Sequence, residues 1–180
     1  MTLPRRELIR RGLGLAAAAT VSAPAGQALA SIGPVRKLGF HNLHTGESVQ
    51  AAYWEAGAYV PDALNAVNRV LRDFRTGEVH PIEPKLLDLL THLQAKLGVS
   101  RPFQVISGYR SPATNAKLHA ASNGVATKSL HMQGKAIDIR LSGVELADLR
   151  DAALGLQLGG VGFYPGSDFV HVDVGRVRRW

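Results

Sequence analysis

Two short runs, Ser129–Asp138 (SLHMQGKAID) and Phe169–Gly175 (FVHVDVG), hold the residues best suited to chemistry. The first contributes His131 and Asp138, the second His171 and Asp173. If KAIDIRL (135–141) is a strand, its period of two sets Ile137, Ile139 and Leu141 on one face and Ala136, Asp138 and Arg140 on the other. A carboxylate between two isoleucines is costly to bury unless it is hydrogen-bonded, ion-paired or bound to a metal, so Asp138 calls for a partner. In FVHVDVG the same alternation aims His171 and Asp173 at one face, away from Val170, Val172 and Val174. If the two strands are neighbours, His171 meets Asp138. Two neutral imidazoles and a carboxylate, with a fourth position left to water, commonly hold catalytic zinc. The spacing also admits a plainer account, in which Asp138 pairs with Arg140 and His171 is a satisfied core residue. The remaining histidines invite less: His41 and His44 flank a turn with no acid to complete a ligand set, and His92 and His119 fall in helical stretches.

The elements that must position these residues are marked by changes of period. VRKLGFHNLHTGESVQAAYW (35–54) alternates around a turn at His44–Glu47 and reads as a hairpin. PDALNAVNRVLRDFR (61–75) and EPKLLDLLTHLQAKLG (83–98) switch to helical spacing, with Pro61 and Pro84 near the starts and Gly98 as the second stop. After Pro102 come short strand signals, FQVISGY, KAIDIRL, GGVGFY and FVHVDV, with helical stretches at 112–121 and 144–156 between them. ASNGVATKSLHMQG (121–134) is small, polar and glycine-containing, a loop that delivers His131 into the strand after it. The pattern is α+β, without the regular alternation of a doubly wound parallel sheet.

Residues 1–30 stand apart. Arg5 and Arg6 before Leu8, Ile9 and Arg10, an apolar stretch from Gly12 to Val21, and Ala28-Leu29-Ala30 form a twin-arginine export signal with its cleavage pattern. The apolar stretch falls short of the ~20 residues that span a bilayer, so no stable membrane anchor is expected. The expected mature chain, 31–180, is a single domain delivered by the twin-arginine machinery to the bacterial periplasm. There are no cysteines, so its stability must come from an ordinary hydrophobic core. The net charge of +7 shrinks once the four Arg and one Glu of the signal are set aside, leaving 17 basic against 13 acidic residues. No basic block is interleaved with aromatics, which argues against nucleic acid as a partner.

SGYRSPATN (107–115), SLHMQGKAIDI (129–139) and GGVGFYPGSDFVHVDVG (159–175) together closely resemble the zinc peptidases of the D-alanyl-D-alanine carboxypeptidase type, above all their murein endopeptidase branch. The resemblance spans nearly all of the mature chain. It implies a hedgehog/D-Ala-D-Ala peptidase-like α+β fold, with a small antiparallel sheet bearing the metal site and helices flanking it. It also implies that His131, Asp138 and His171 hold Zn, that Arg110 steadies the carbonyl oxygen as it becomes an oxyanion, and that Ser129 contacts substrate. Asp168 occupies the position of the family's general base, three residues before the last zinc histidine. Strict alternation sets 168 and 171 on opposite faces, so Asp168 reaches the site only through a turn or bulge; Asp173 faces the right way and is either the base or the acceptor that orients a histidine. The implied activity is endopeptidase cleavage of peptidoglycan cross-links, including bonds of meso-diaminopimelate. A carboxypeptidase or dipeptidase on wall peptides, and a wall-binding module without catalysis, stay open at this point.

Overall fold

The computed structural model describes residues 34–121 and 126–180; the export segment expected at 1–30 lies outside them, as do residues 122–125 of the loop before His131. The amino-terminal alternation forms β1 (Arg36–Asn42) and β2 (Ser48–Glu55), paired antiparallel. Asn42 shapes the turn: its side-chain oxygen accepts from His44 N and Thr45 N, while its Nδ2 donates to Val70 O. A two-residue strand, β3 (Ala58–Tyr59), extends the hairpin. Helix α1 (Pro61–Val70) opens on Pro61 but stops at Leu71, short of the Arg75 that the periodicity suggests. The Asp73 carboxylate there accepts from Arg75 N at 2.9 Å, a local side-chain bond that competes with helix continuation. Helix α2 (Pro84–Leu97) runs as its signals predict, from a Glu83 cap to Gly98 at φ 65°.

The second half follows as β4 (Phe103–Ser107), α3 (Pro112–Ala121), β5 (Ala136–Leu141), α4 (Leu146–Leu154), β6 (Gly160–Tyr164), β7 (Phe169–Asp173) and β8 (Arg178–Arg179). All the strands join one sheet in the order β3-β2-β1-β4-β5-β7-β6-β8. The expected small antiparallel sheet is therefore corrected to an eight-stranded mixed one, because β1 lies parallel to β4 and β6 parallel to β8. A hairpin cannot join parallel neighbours, and the chain runs through β2, β3, α1 and α2 before returning beside β1.

Leu86, Leu87, Leu90 and Leu93 of α2 and Leu149 of α4 are wholly buried with Phe40, Phe103, Ile137, Ile139 and Val170 of the sheet. Each such side chain contributes roughly 1.5–3 kcal/mol over an exposed one. Helix α4 lies against β5, β6 and β7. With Ile137, Ile139 and Leu141 given to this core, alternation leaves Asp138 to the other face of β5.

Candidate active site

Strands β5 and β7 are antiparallel neighbours in a register that sets Asp138 directly opposite His171. His131 comes from a 3₁₀ turn, Leu130–Gln133, capped by Ser129, whose Oγ accepts from His131 N at 3.4 Å. Gly134 closes that turn at φ 64°, and a Cβ on it would lie 2.1 Å from Pro81 O, so no other residue fits.

All three side chains are buried, and each offers one ligand atom within 4.8 Å of the others. His131 Nε2 is 3.1 Å from His171 Nδ1, which is 2.8 Å from Asp138 Oδ1, and Asp138 Oδ1 is 3.3 Å from His131 Nε2. The outward partners fix the tautomers. His131 Nδ1 lies 2.7 Å from Gly108 O, and a carbonyl only accepts, so this nitrogen carries the hydrogen. His171 Nε2 lies 3.0 Å from Asp173 Oδ2 and donates to it in the same way. The neutral rings therefore turn lone pairs toward each other and toward a carboxylate oxygen. Three acceptors with no hydrogen among them repel unless a cation sits between them. Zinc bonds of ~2.0–2.1 Å at tetrahedral angles separate ligand atoms by about 3.3 Å, close to the spacing found here, and two imidazoles with a carboxylate are an ordinary zinc donor set. Burial alone would raise the Asp138 pKa, but His131 and His171 outweigh it and hold the carboxyl well below its usual range. Burial works against a proton on His171, but the carboxylates of Asp138 and Asp173 outweigh it and raise its pKa, so the cluster draws positive charge to itself, whether as a proton on Nδ1 or as a metal ion.

Asp173 is wholly buried and its lone pairs are committed. Oδ1 accepts from Gly175 N at 2.8 Å, Arg178 Nη1 at 3.0 Å and Gly160 N at 3.1 Å, while Oδ2 accepts from Arg178 Nη2 at 2.7 Å as well as from His171. Burial pushes its pKa up, but His171, Arg178 and the two amides bring it below the ordinary carboxylate value. A carboxylate so occupied suits the orientation of His171 better than the uptake of a proton. Asp168 sits elsewhere. It closes the 3₁₀ turn Pro165–Ser167 in a left-handed conformation, φ 53°, is mostly exposed, and its carboxylate pairs with Arg140. The departure from strand alternation that Asp168 requires is present, but its neighbours Ser167 and Phe169 line the cleft and Asp168 does not. Arg140 is further engaged with Gln104, 2.8 Å from Nε to Oε1, so the Asp138–Arg140 pair of the plainer account does not form.

Arg110 reaches Asp138 instead, Nη2 to Oδ2 at 3.6 Å, with its side chain only 11 % exposed. Its other contacts, Asn115 Oδ1 and Ser107 Oγ, are both at 3.5 Å, and its buried Nε has no partner. Burial lowers its pKa more than Asp138 raises it. A guanidinium with slack donors can take an incoming oxygen without first breaking strong bonds.

Arg110, Ser129, His131, Asp138 and His171 share a cleft of about 460 Å³. Its aromatic wall was missed from the sequence: Tyr164 stacks on Phe169 at 4.6 Å and accepts from Trp180 Nε1 at 2.7 Å, and the Trp180 ring lies 5.2 Å from that of His171. The available signals were Gly162, which faces His171 in register and makes room for the indole, and the i, i+2 spacing of Arg178 and Trp180 at the chain's end.

A family model described as peptidoglycan L,D-endopeptidase MepK matches residues 30–180. The Escherichia coli K12 protein named peptidoglycan L,D-endopeptidase MepK is 44 % identical over 176 residues, covering 98 % of this chain and 96 % of that one. The Haemophilus influenzae protein named probable peptidoglycan L,D-endopeptidase MepK is 42 % identical over 154 residues, 85 % of this chain and 83 % of its own. With its whole carboxy-terminal part matched and near-full coverage of its relatives, this chain belongs to the peptidoglycan L,D-endopeptidase MepK family of peptidases.

Proposed function

We propose that this chain is a zinc-dependent peptidoglycan endopeptidase that hydrolyses peptide cross-links, at bonds joining an L and a D centre such as those of meso-diaminopimelate. The observation that carries the zinc reading is the convergence of three lone pairs, from His131, Asp138 and His171, whose rings have already given their hydrogens to Gly108 and Asp173. Zinc supplies Lewis acidity there, polarising a peptide carbonyl and acidifying water. Arg110 donates its slack N–H groups to the carbonyl oxygen as negative charge builds on it. Ser129 accepts from His131 N, which leaves its hydroxyl hydrogen for a substrate oxygen. Asp173 holds His171 in the ligating tautomer. With Asp138 given to the metal set and Asp173 to His171, Arg178 and two amides, the proton of the attacking water is assigned to Asp168, which stands between the cleft-lining Ser167 and Phe169 and would have to exchange its pairing with Arg140 for that role.

Digestion of purified cross-linked wall fragments, with and without chelator and with products identified by mass, tests the reading. Dimers should disappear, persist after chelation, and disappear again on adding zinc. Release of single terminal residues from intact dimers would make the enzyme a carboxypeptidase, and inertness of a folded, zinc-loaded protein across several muropeptides would leave a wall-binding module.

We further infer that residues 1–30 are a twin-arginine signal, removed to leave one zinc peptidase domain, 31–180, in the periplasm. No helix among the described residues is long and apolar enough to cross a membrane. Replacing Arg5 and Arg6 by Lys should leave the precursor in the cytoplasmic fraction.

A further inference from the structure

We propose that Asp73, remote in sequence from every site residue, is the positioning residue that sets Arg110; this rests on the role given to Arg110 above. The guanidinium is weakly held by its own contacts, at 3.5–3.6 Å with one donor unpaired, so its place must be fixed through the backbone that bears it. That backbone is gripped on both sides by one small turn. Asp73 is 1 % exposed, and its Oδ2 accepts from both Ser111 N, at 2.9 Å, and Ser111 Oγ, at 2.7 Å. The turn is closed on itself by Asp73 N to Glu78 O at 3.0 Å and Gly77 N to Asp73 O at 2.7 Å. Glu78, at its other end, accepts from Tyr109 OH at 2.6 Å. Tyr109 N donates to Leu71 O at 2.8 Å, and a Cβ on Gly108 would fall 2.4 Å from that same oxygen, so the two segments meet with no space between them.

The bracket therefore holds Tyr109 and Ser111, the residues on either side of Arg110, while Gly108 in the same segment presents the carbonyl that fixes His131. Ser111 Oγ also accepts from Thr114 N at 3.2 Å, which ties the start of α3 to Asp73. A buried carboxylate spending one oxygen on two donors of a single residue defines that residue's backbone closely. Displacing a transition-state donor by a fraction of an ångström costs rate and leaves substrate binding largely intact.

The test is a double-mutant cycle on the zinc-loaded protein, with zinc content and thermal unfolding recorded for every variant. Asp73→Asn should lower kcat about tenfold or more with little change in KM or zinc content. In an Arg110→Ala background the same change should cost less than about twofold, since the group it positions is gone. Ser111→Ala repeats the cycle with a smaller loss if Asp73→Asn does not fold. A full loss retained in the Arg110→Ala background overturns the proposal, as does wild-type kcat in Asp73→Asn. If Arg110→Ala alone keeps wild-type turnover, the role of Arg110 falls and this proposal with it, an outcome distinct from the other two.

Discussion

Asp138 touches three of the groups assigned to the proposed reaction: a ring nitrogen of His131 and one of His171 through Oδ1, and Arg110 through Oδ2. Its two oxygens thus face the proposed metal site and the proposed carbonyl site separately, and variants at this scale should separate as well. Arg110→Ala is expected to lower kcat by ~10²–10³ with zinc content unchanged, because only the transition state uses its donors fully. Asp173→Asn is expected to weaken zinc binding about 10–100-fold, measured by chelator competition, since it loses an acceptor that orients His171. Asp168→Asn should instead keep zinc and lose turnover. Asn is the better substitution there because position 168 is left-handed, φ 53°, a conformation that Asn adopts more readily than Ala. The meeting of Asp138 and His171 was legible in the sequence because strand alternation states which side chains share a face, and the register sets them opposite each other; His131, on a turn, was joined to them only by the family resemblance. Arg140 as the partner of Asp168, and Trp180 against His171, were not legible, since each joins side chains whose meeting depends on a turn and on an edge strand.

At the scale of elements, the helices were read well where caps and period agreed, as in α2 between Glu83 and Gly98, and poorly where a side chain beyond the pattern intervened, as when Asp73 ended α1. Far from the site, Asp88 of α2 ties the helix to the first three strands, accepting from Arg36 at 2.6 Å, Tyr59 at 2.7 Å and Tyr53 at 3.0 Å. Burial raises its pKa, but the bonds from Tyr59, Arg36 and Tyr53 outweigh this and leave it lowered. A depressed folded-state pKa contributes stability above the unfolded value, ~3.9, and loses it as pH falls through the folded one. Asp88→Asn should therefore be less stable than wild type by ~1–3 kcal/mol at neutral pH, with the gap constant down to about pH 5 and closing below ~4, as read by urea unfolding across pH. The turn that carries His131 offers a second element-level expectation. Gly134→Ala brings a Cβ against Pro81 O and should lower both the unfolding temperature and zinc affinity, whereas Gly166→Ala, with open space around it, should change neither.

At the scale of the whole molecule, the proposed zinc ion would join a 3₁₀ turn to two central strands, so it should raise the unfolding midpoint in proportion to the logarithm of free zinc, and a chelator should reverse this. The α+β class was legible from the order of helical and strand periods; the place of β1 was not, because pairing of Phe40 with Phe103 leaves no local mark in either stretch. That parallel seam has a kinetic consequence. The hairpin β1–β2 can form from neighbouring residues, but it cannot join the site-bearing half of the sheet until α1, α2 and β4 are all available, a long loop closure that sets a slow step. If the chain takes the twin-arginine route proposed above, which carries cargo already folded, the time its precursor waits in the cytoplasm would depend on that strand pair, whose β4 lies directly beside the strand that bears Asp138.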